Sequence, residues 1–299
     1  MEPTDDSLRV LSTPLPRRAV VIRAVTLLTD FGLADPYVAE MKAVLLAEWN
    51  RFPDPFPLPL LVDISHALPL GDVPGAAWLL GRVAPTFPAG TVHLAVVDPG
   101  VGTARPAVAV AAGGQFFVGP GNGLFGFLAR SGPVTVVRLD NPLYQRGREG
   151  KPAPTFAGRD LFAPAAAHLA MGVPLHQLGT PAGPEALGVA NGASGERDDG
   201  PGLTTGQVLG RIVWIDRFGN AITDVARDGP HGARLTEGAT VAVGSTAVAG
   251  PVVTFAAGSA ERSFWYWGSG GTLEIALRAG DAAARHGWQV GMAVQRSAP

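Results

Sequence analysis

Short apolar runs that stop at an aspartate recur along this chain. Val25-Thr26-Leu27-Leu28-Thr29 runs into Asp30, Leu60-Leu61-Val62 into Asp63, and Leu94-Ala95-Val96-Val97 into Asp98. Val136-Val137-Arg138-Leu139 runs into Asp140, and Ile212-Val213-Trp214-Ile215 into Asp216. Runs of this length, rich in β-branched residues, predict strands of a sheet covered on both faces. Between the early runs the spacing turns helical. Asp35 followed by Pro36 predicts a helix start, with the helix running to about Trp49. Asp72 predicts a second helix through Trp78 and Leu80, and Asp160 a third through Ala170, closed by Gly172 and Pro174. Strands alternating with helices give an α/β domain around a central, largely parallel sheet, and ligands of such domains gather at the carboxyl ends of strands. The recurring aspartates therefore stand where a site is expected.

Beyond Gly206 helical spacing fades. Gly206–Asp216, Ala239–Val243, Val248–Phe255, the aromatic Phe264-Trp265-Tyr266-Trp267 and Thr272–Leu277 read as strands separated by glycine turns, a small β-barrel or sandwich. Ala190–Gly206 has no apolar period and reads as a linker. Residues 1–23 mix acids, prolines and arginines and read as a loose leader without a signal-peptide pattern. The expected division is a leader at 1–23, an α/β domain at 24–189, a linker at 190–206 and a β-barrel domain at 207–299.

Composition narrows the function. The 299 residues suit two domains, and 46% hydrophobic against 16% charged residues excludes a disordered chain. A formal charge of -2 gives no electrostatic case for nucleic acid or an anionic membrane as partner. No apolar stretch is long enough to span a bilayer. The absence of cysteine excludes disulfides, thiolate zinc sites and a cysteine nucleophile, and fits a cytoplasmic protein. The six histidines lack close metal-ligand spacing, so no metal is expected. His66, near Asp63, reads as structural. There is no P-loop and no G-x-S-x-G elbow.

Three segments can carry chemistry. Gly121-Asn122-Gly123-Leu124-Phe125-Gly126 matches G-x-G-x-x-G, with Asp140 at a distance suited to a ribose. Pro120 and the short stretch to Arg130 favour a tight structural turn over an NAD site. In Asp98-Pro99-Gly100-Val101-Gly102-Thr103-Ala104-Arg105 a glycine turn returns an arginine to a strand-end carboxylate. That is either a loop ion pair or a pair holding a water or an anion at the sheet edge. Asp216-Arg217-Phe218-Gly219-Asn220 groups a carboxylate, an aromatic and an amide, suited either to a base carrying a cation or to an Asx turn.

Taken together, the segments resemble the S-adenosylmethionine (SAM) hydroxide adenosyltransferases, relatives of the fluorinase and chlorinase. The resemblance runs from about Val25 to Val294. It rests on Leu-Leu-Thr-Asp-Phe-Gly (27–32), Val-Asp-Ile-Ser-His (62–66), Val-Val-Asp-Pro-Gly-Val-Gly-Thr (96–103), Gly-Pro-Gly-Asn-Gly-Leu (119–124) and Thr-Phe-Ala-Gly-Arg-Asp (155–160). Ile-Asp-Arg-Phe-Gly-Asn (215–220) and Ser-Gly-Gly-Thr-Leu-Glu-Ile-Ala (269–276) complete it in the family order.

The resemblance implies an N-terminal α/β domain, a C-terminal β-barrel, and a homotrimer whose sites lie between one subunit's N-terminal domain and its neighbour's barrel. It implies hydrolysis of SAM to adenosine and methionine, with SAM as substrate and no cofactor. By the same resemblance Asp30 grips the ribose hydroxyls, Asp216 and Ser269 hold the methionine end, Asn220 reads adenine, and Phe218 and Phe255 wall the base. Asp98 and Arg105 match two of three water-handling groups. The third, a histidine, is replaced by Ala157, which implies an engineered variant, a slower natural enzyme, or one that positions water differently. Gly270 stands in place of the halogenases' arginine, and Asp281 in place of an asparagine. Asp98, absent from the halogenating enzymes, argues for water as nucleophile. Two other readings stay open: a SAM- or adenosine-binding protein with little turnover, and an NAD-linked enzyme using Gly121–Gly126.

Overall fold

The structure, a computed structural model, describes residues 23–53, 58–147, 151–188 and 205–297. The leader, apart from Arg23, and most of the linker lie outside the described residues.

The first part is built on β1 (Ala24–Thr29), β2 (Leu60–Ser65), β3 (Val92–Val96), β4 (Ala107–Ala112), β5 (Gln115–Pro120), β6 (Val134–Arg138) and β7 (Pro181–Ala182). They form one sheet in the order β2-β1-β3-β5-β4-β6-β7. The β2-β1-β3-β5 half is parallel, as expected from buried apolar runs. The other half is antiparallel, and nothing in the apolar pattern announced it.

Helices cover both faces. On one, α1 (Tyr37–Trp49) and α4 (Ala163–Ala170) enclose Val25, Leu27, Met41, Leu45, Trp49, Leu94 and Phe162. On the other, α2 (Val73–Val83) and the short α3 (Leu128–Ser131) enclose Leu28, Leu80, Ala95, Val110, Phe117 and Phe125. Every residue of β1 is buried, because both of its faces meet a core.

Asp72 caps α2 as expected, accepting the Gly75 N–H at 2.9 Å. Three local expectations are corrected. Asp35 does not cap α1, because the Glu40 N–H bonds to the Pro36 carbonyl at 2.8 Å and leaves Asp35 one residue too early. Asp63 does not end its strand, because β2 goes on pairing with β1 past a bulge at Ile64 and reaches Ser65. Asp160 does not start a helix; it sits inside a π-helical turn, Gly158–Phe162, that runs directly into α4.

The second part is a closed barrel, not a sandwich. Its strands are β8 (Val208–Ile215), β9 (Ala221–Ala226), β10 (Thr240–Val243), β11 (Thr246–Ala249), β12 (Phe264–Trp267), β13 (Thr272–Ala276) and β14 (Ala293–Arg296), with α5 (Ala282–His286) packed beside them. The barrel order is β10-β11-β12-β13-β9-β8-β14. The strand expected over Val248–Phe255 stops at Ala249, and Phe255 opens a 3₁₀ turn instead. The barrel core holds Leu209, Ile212, Val241, Trp265, Leu273, Ile275 and Trp288. Trp78 of α2 stacks on Trp214 of β8, centroids 5.8 Å apart and planes 18° apart, joining the two parts.

Candidate active site

Two groups of residues form, one on each domain. The first lies at the carboxyl edge of the parallel strands. Asp98 follows β3 and is 4% exposed; Arg105, 13% exposed, returns to it through the glycine turn. Arg105 Nε donates to Asp98 Oδ1 at 2.7 Å, and Nη2 donates to Oδ2. Nη1 donates to the Pro106 carbonyl at 3.1 Å. A guanidinium has five N–H groups, so two remain for a ligand. Its underside rests on the Phe162 ring, 5.4 Å from the centroid.

Asp30, at the end of β1, lies beside this pair. Its Oδ2 accepts the Gly71 N–H at 2.8 Å, and Gly71 in turn faces Pro99, the residue after Asp98. The segment of Ala157 closes the group. Phe156 meets Phe31 edge-on at 6.0 Å, and the Pro154 carbonyl lies against Gly102 of the Asp98 loop. Asp30, Asp98, Arg105 and the segment of Ala157 therefore lie along one sheet edge.

Thr29 and Gly32, which flank Asp30, are both tied to His66. Thr29 Oγ1 bonds to His66 Nδ1 at 2.8 Å, and His66 Nε2 faces Asp63 Oδ1 at 3.1 Å. Burial works against the Asp63 carboxylate, but hydrogen bonds from Lys42 and His66 hold its pKa below the ordinary value. His66 is thus a structural residue of the β1–β2 edge. Three residues after Ala157, Asp160 is treated the same way. Burial opposes its charge, while Arg159 and the Ala153 N–H hold its pKa below the usual carboxylate value.

The second group is on the barrel. Asp216 follows β8 and shapes its own turn. Its Oδ1 accepts the N–H groups of Phe218 and Asn220, both at 2.9 Å, and its Oδ2 accepts Asn220 Nδ2 at 2.9 Å. The Asx turn of the simpler reading is therefore formed. Gly219, at φ +79°, lies so close to Asp281 that a Cβ would collide with it. Asp281 caps α5 through the Ala284 N–H at 2.7 Å. Phe218 (70% exposed), Asn220 and Phe255 line one cavity of about 570 Å³ together with Leu277, Arg278, Ala279 and Gly280.

Ser269 is not in that cavity. It lines another, of about 1120 Å³, between α2 and the barrel, where Arg82 Nη2 donates to its Oγ at 3.0 Å. Sequence reasoning missed Arg82, Glu274 and the 277–280 loop. The loop could have been found, since it directly follows a recognised segment. Arg82 carries no local signal.

Gly121–Gly126 is a closed turn. The Gly121 and Gly123 N–H groups bond at 2.8 Å to the carbonyls of Pro106 and Leu187, and a Cβ on Gly121 would strike the Ala186 carbonyl. Those amides are not free to cradle a pyrophosphate. Asp140 accepts the Thr180 N–H at 2.8 Å. The NAD reading is not favoured.

Residues 25–179 match the SAM hydroxide adenosyltransferase N-terminal domain, and residues 210–295 match the corresponding C-terminal domain. The (R)-S-adenosyl-L-methionine hydrolase of Thermus thermophilus is 43% identical over 280 residues, covering 92% of this chain and 99% of its own. A fluorinase from an Actinoplanes species is 27% identical over 229 residues, covering 68% of this chain and 72% of its own. The crystal structure of an uncharacterised conserved protein from Thermotoga maritima superposes with a TM-score of 0.77 at 29% identity, covering 92% of this chain and all of that one.

Proposed function

The chain belongs to the SAM hydroxide adenosyltransferase family, and from that premise we propose that it hydrolyses S-adenosyl-L-methionine to adenosine and L-methionine. The observation that carries this reading is the Asp98–Arg105 pair at the sheet edge beside Asp30. It couples a carboxylate with spare lone pairs to a guanidinium with two unused N–H groups.

The chemistry is a displacement at C5′. The sulfonium leaves as a neutral thioether, so no general acid is required. Water attacks in line with the C5′–S bond, its oxygen bonds to C5′, and the C5′–S electron pair stays on sulfur. The proton of the attacking water passes to solvent or to Asp98. Holding the water in line can supply roughly 7–11 kcal/mol of the barrier. Arg105 stabilises hydroxide-like charge and Asp98 orients the water. Asp30 holds the ribose hydroxyls, Asn220 the adenine, and Phe218 and Phe255 its faces. Asp216 and Ser269 take the methionine end. The reaction needs no cofactor and no metal.

Within one chain the 570 Å³ barrel cavity is lined by none of Asp30, Asp98 or Arg105. Exposed Leu33, Leu70 and Val101 rim the first group, and exposed Phe218 and Val253 lie on the barrel side. This supports a site completed by a neighbouring copy, in a homotrimer. Among the described residues no helix is long and apolar enough to cross a membrane; with no cysteine in the chain, the cytoplasm is the proposed location.

The test is incubation with SAM in ¹⁸O-labelled water, followed by chromatography and mass analysis. Adenosine carrying one label at O5′, with methionine in equal amount, is expected. S-adenosylhomocysteine or a halogenated nucleoside as main product would refute the proposal.

A further inference from the structure

The cavity of about 1120 Å³ between α2 and the barrel is lined by Trp78, Asn122, Asp224, Ser269 and Gly270, among others, and Arg82 is the one cation among the described residues that line it. Arg82 comes from α2, on the far side of the domain junction from Ser269. Its guanidinium stands where a side chain at residue 270 would project: a Cβ built on Gly270 collides with Arg82 Nη1. The glycine therefore leaves the space, and the arginine fills it.

Arg82 is held but not used up. It donates one bond to Ser269 Oγ at 3.0 Å, lies 3.8 Å from Glu274 Oε1, and rests 5.6 Å from the Trp78 ring centroid. Its side chain is 29% exposed. With five N–H groups available, donors remain for an incoming anion.

Tyr266 links this cluster to Phe255, a lining residue of the 570 Å³ barrel cavity. Tyr266 donates to Glu274 Oε2 at 2.7 Å and meets the Phe255 ring edge-on at 6.2 Å. Burial, that hydrogen bond and the charges of Glu274 and Asp216 raise the Tyr266 pKa, while Arg82 pulls it down. Asp216, Glu274, Tyr266 and Arg82 thus share one electrostatic neighbourhood. The methionyl end of SAM carries two cations, ammonium and sulfonium, and one carboxylate. Asp216 and Glu274 suit the cations. Of these four, Arg82 suits the anion.

We propose that Arg82 binds the methionyl carboxylate of SAM, from the space left open by Gly270. This rests on the hydrolase reading above and adds to it a residue that discriminates between ligands. The competing role is a strap that ties α2 to the barrel through Ser269 and Glu274, with no contact to ligand.

Steady-state release of adenosine from SAM and from decarboxylated SAM separates the two roles. In Arg82→Gln the KM for SAM is expected to rise roughly 10- to 150-fold, the range for a hydrogen bond to a charged group, with kcat nearly unchanged. The KM for decarboxylated SAM should stay where it is. Gly270→Ala, which forces the guanidinium aside without deleting it, should show the same selective loss in smaller degree. It decides the matter if Arg82→Gln does not fold. Equal losses for both substrates, or no loss for either, would overturn the inference in favour of a strap. A wild-type protein that releases no adenosine from SAM would instead overturn the hydrolase reading itself, and this inference with it.

Discussion

Placing a histidine at position 157 is the sharpest test of how water is handled. Ala157 has φ -58° and ψ -28°, an ordinary right-handed conformation open to any L residue. It immediately precedes the π-helical turn whose Phe162 carries the Arg105 guanidinium. A methyl group there can neither accept a proton nor orient water. A positioned general base typically contributes about 10²–10⁴-fold, which is about 3–5 kcal/mol of barrier. Ala157→His is therefore expected to raise kcat by that range.

Ala157 is partly buried against the core around Phe162, so overpacking should cost about 1–3 kcal/mol of stability. Arg105 nearby should depress the new imidazole's pKa. The gain should then appear as an added rising limb in the pH–rate profile, with its inflection below the ordinary histidine value of about 6.5. The affinity for adenosine should change little, because Asp30, Asn220, Phe218 and Phe255 are untouched. The assay is adenosine release followed by chromatography across pH, in the parent, in Ala157→His, in Asp98→Asn and in the double variant. Asp98→Asn should lower kcat in both backgrounds. A fast parent whose turnover is unchanged by Ala157→His would refute the reasoning, since water would then be handled by other groups.

Further outcomes are expected. Burial pushes His93, stacked on Phe117, down to a pKa of about 4. Between pH 6.5 and 4 the unfolded chain takes up a proton that the folded one refuses, so stability should fall by up to about 3 kcal/mol as the pH drops through that window. The Asp63 and Asp160 carboxylates, whose pKa values are lowered, lose their contribution only below about 3.8; unfolding midpoints of the parent and His93→Gln at pH 7 and 4.5 will show whether His93 sets the upper window. Gly219→Ala combines a left-handed backbone with a collision against Asp281, and urea denaturation should show a loss of about 2–4 kcal/mol; a loss under 0.5 kcal/mol would mean that the turn yields freely. Light scattering should give a trimer, and a monomer that binds SAM tightly would contradict a shared site.

What the sequence by itself determined is local or nearly so. Apolar runs before Asp30, Asp98 and Asp216, the Asp72 cap and the glycine turn from Asp98 to Arg105 are each written within a dozen residues. The chemistry they imply could be read there, because strand ends and caps depend on the spacing of apolar, acidic and glycine positions. Only the tertiary structure decided the rest. The run Ala107–Ala112 says strand but not direction, because direction depends on which neighbour supplies the ladder. Barrel closure joins Thr240–Val243 to Ala293–Arg296, some fifty residues apart. The Gly121 turn was separated from a nucleotide loop by distant carbonyls that occupy its amides. Arg82 meets Ser269 across 187 residues of chain, and no periodicity within α2 points to that encounter. A side chain's partner across a domain junction is set by how two finished cores dock, a property that neither segment carries alone.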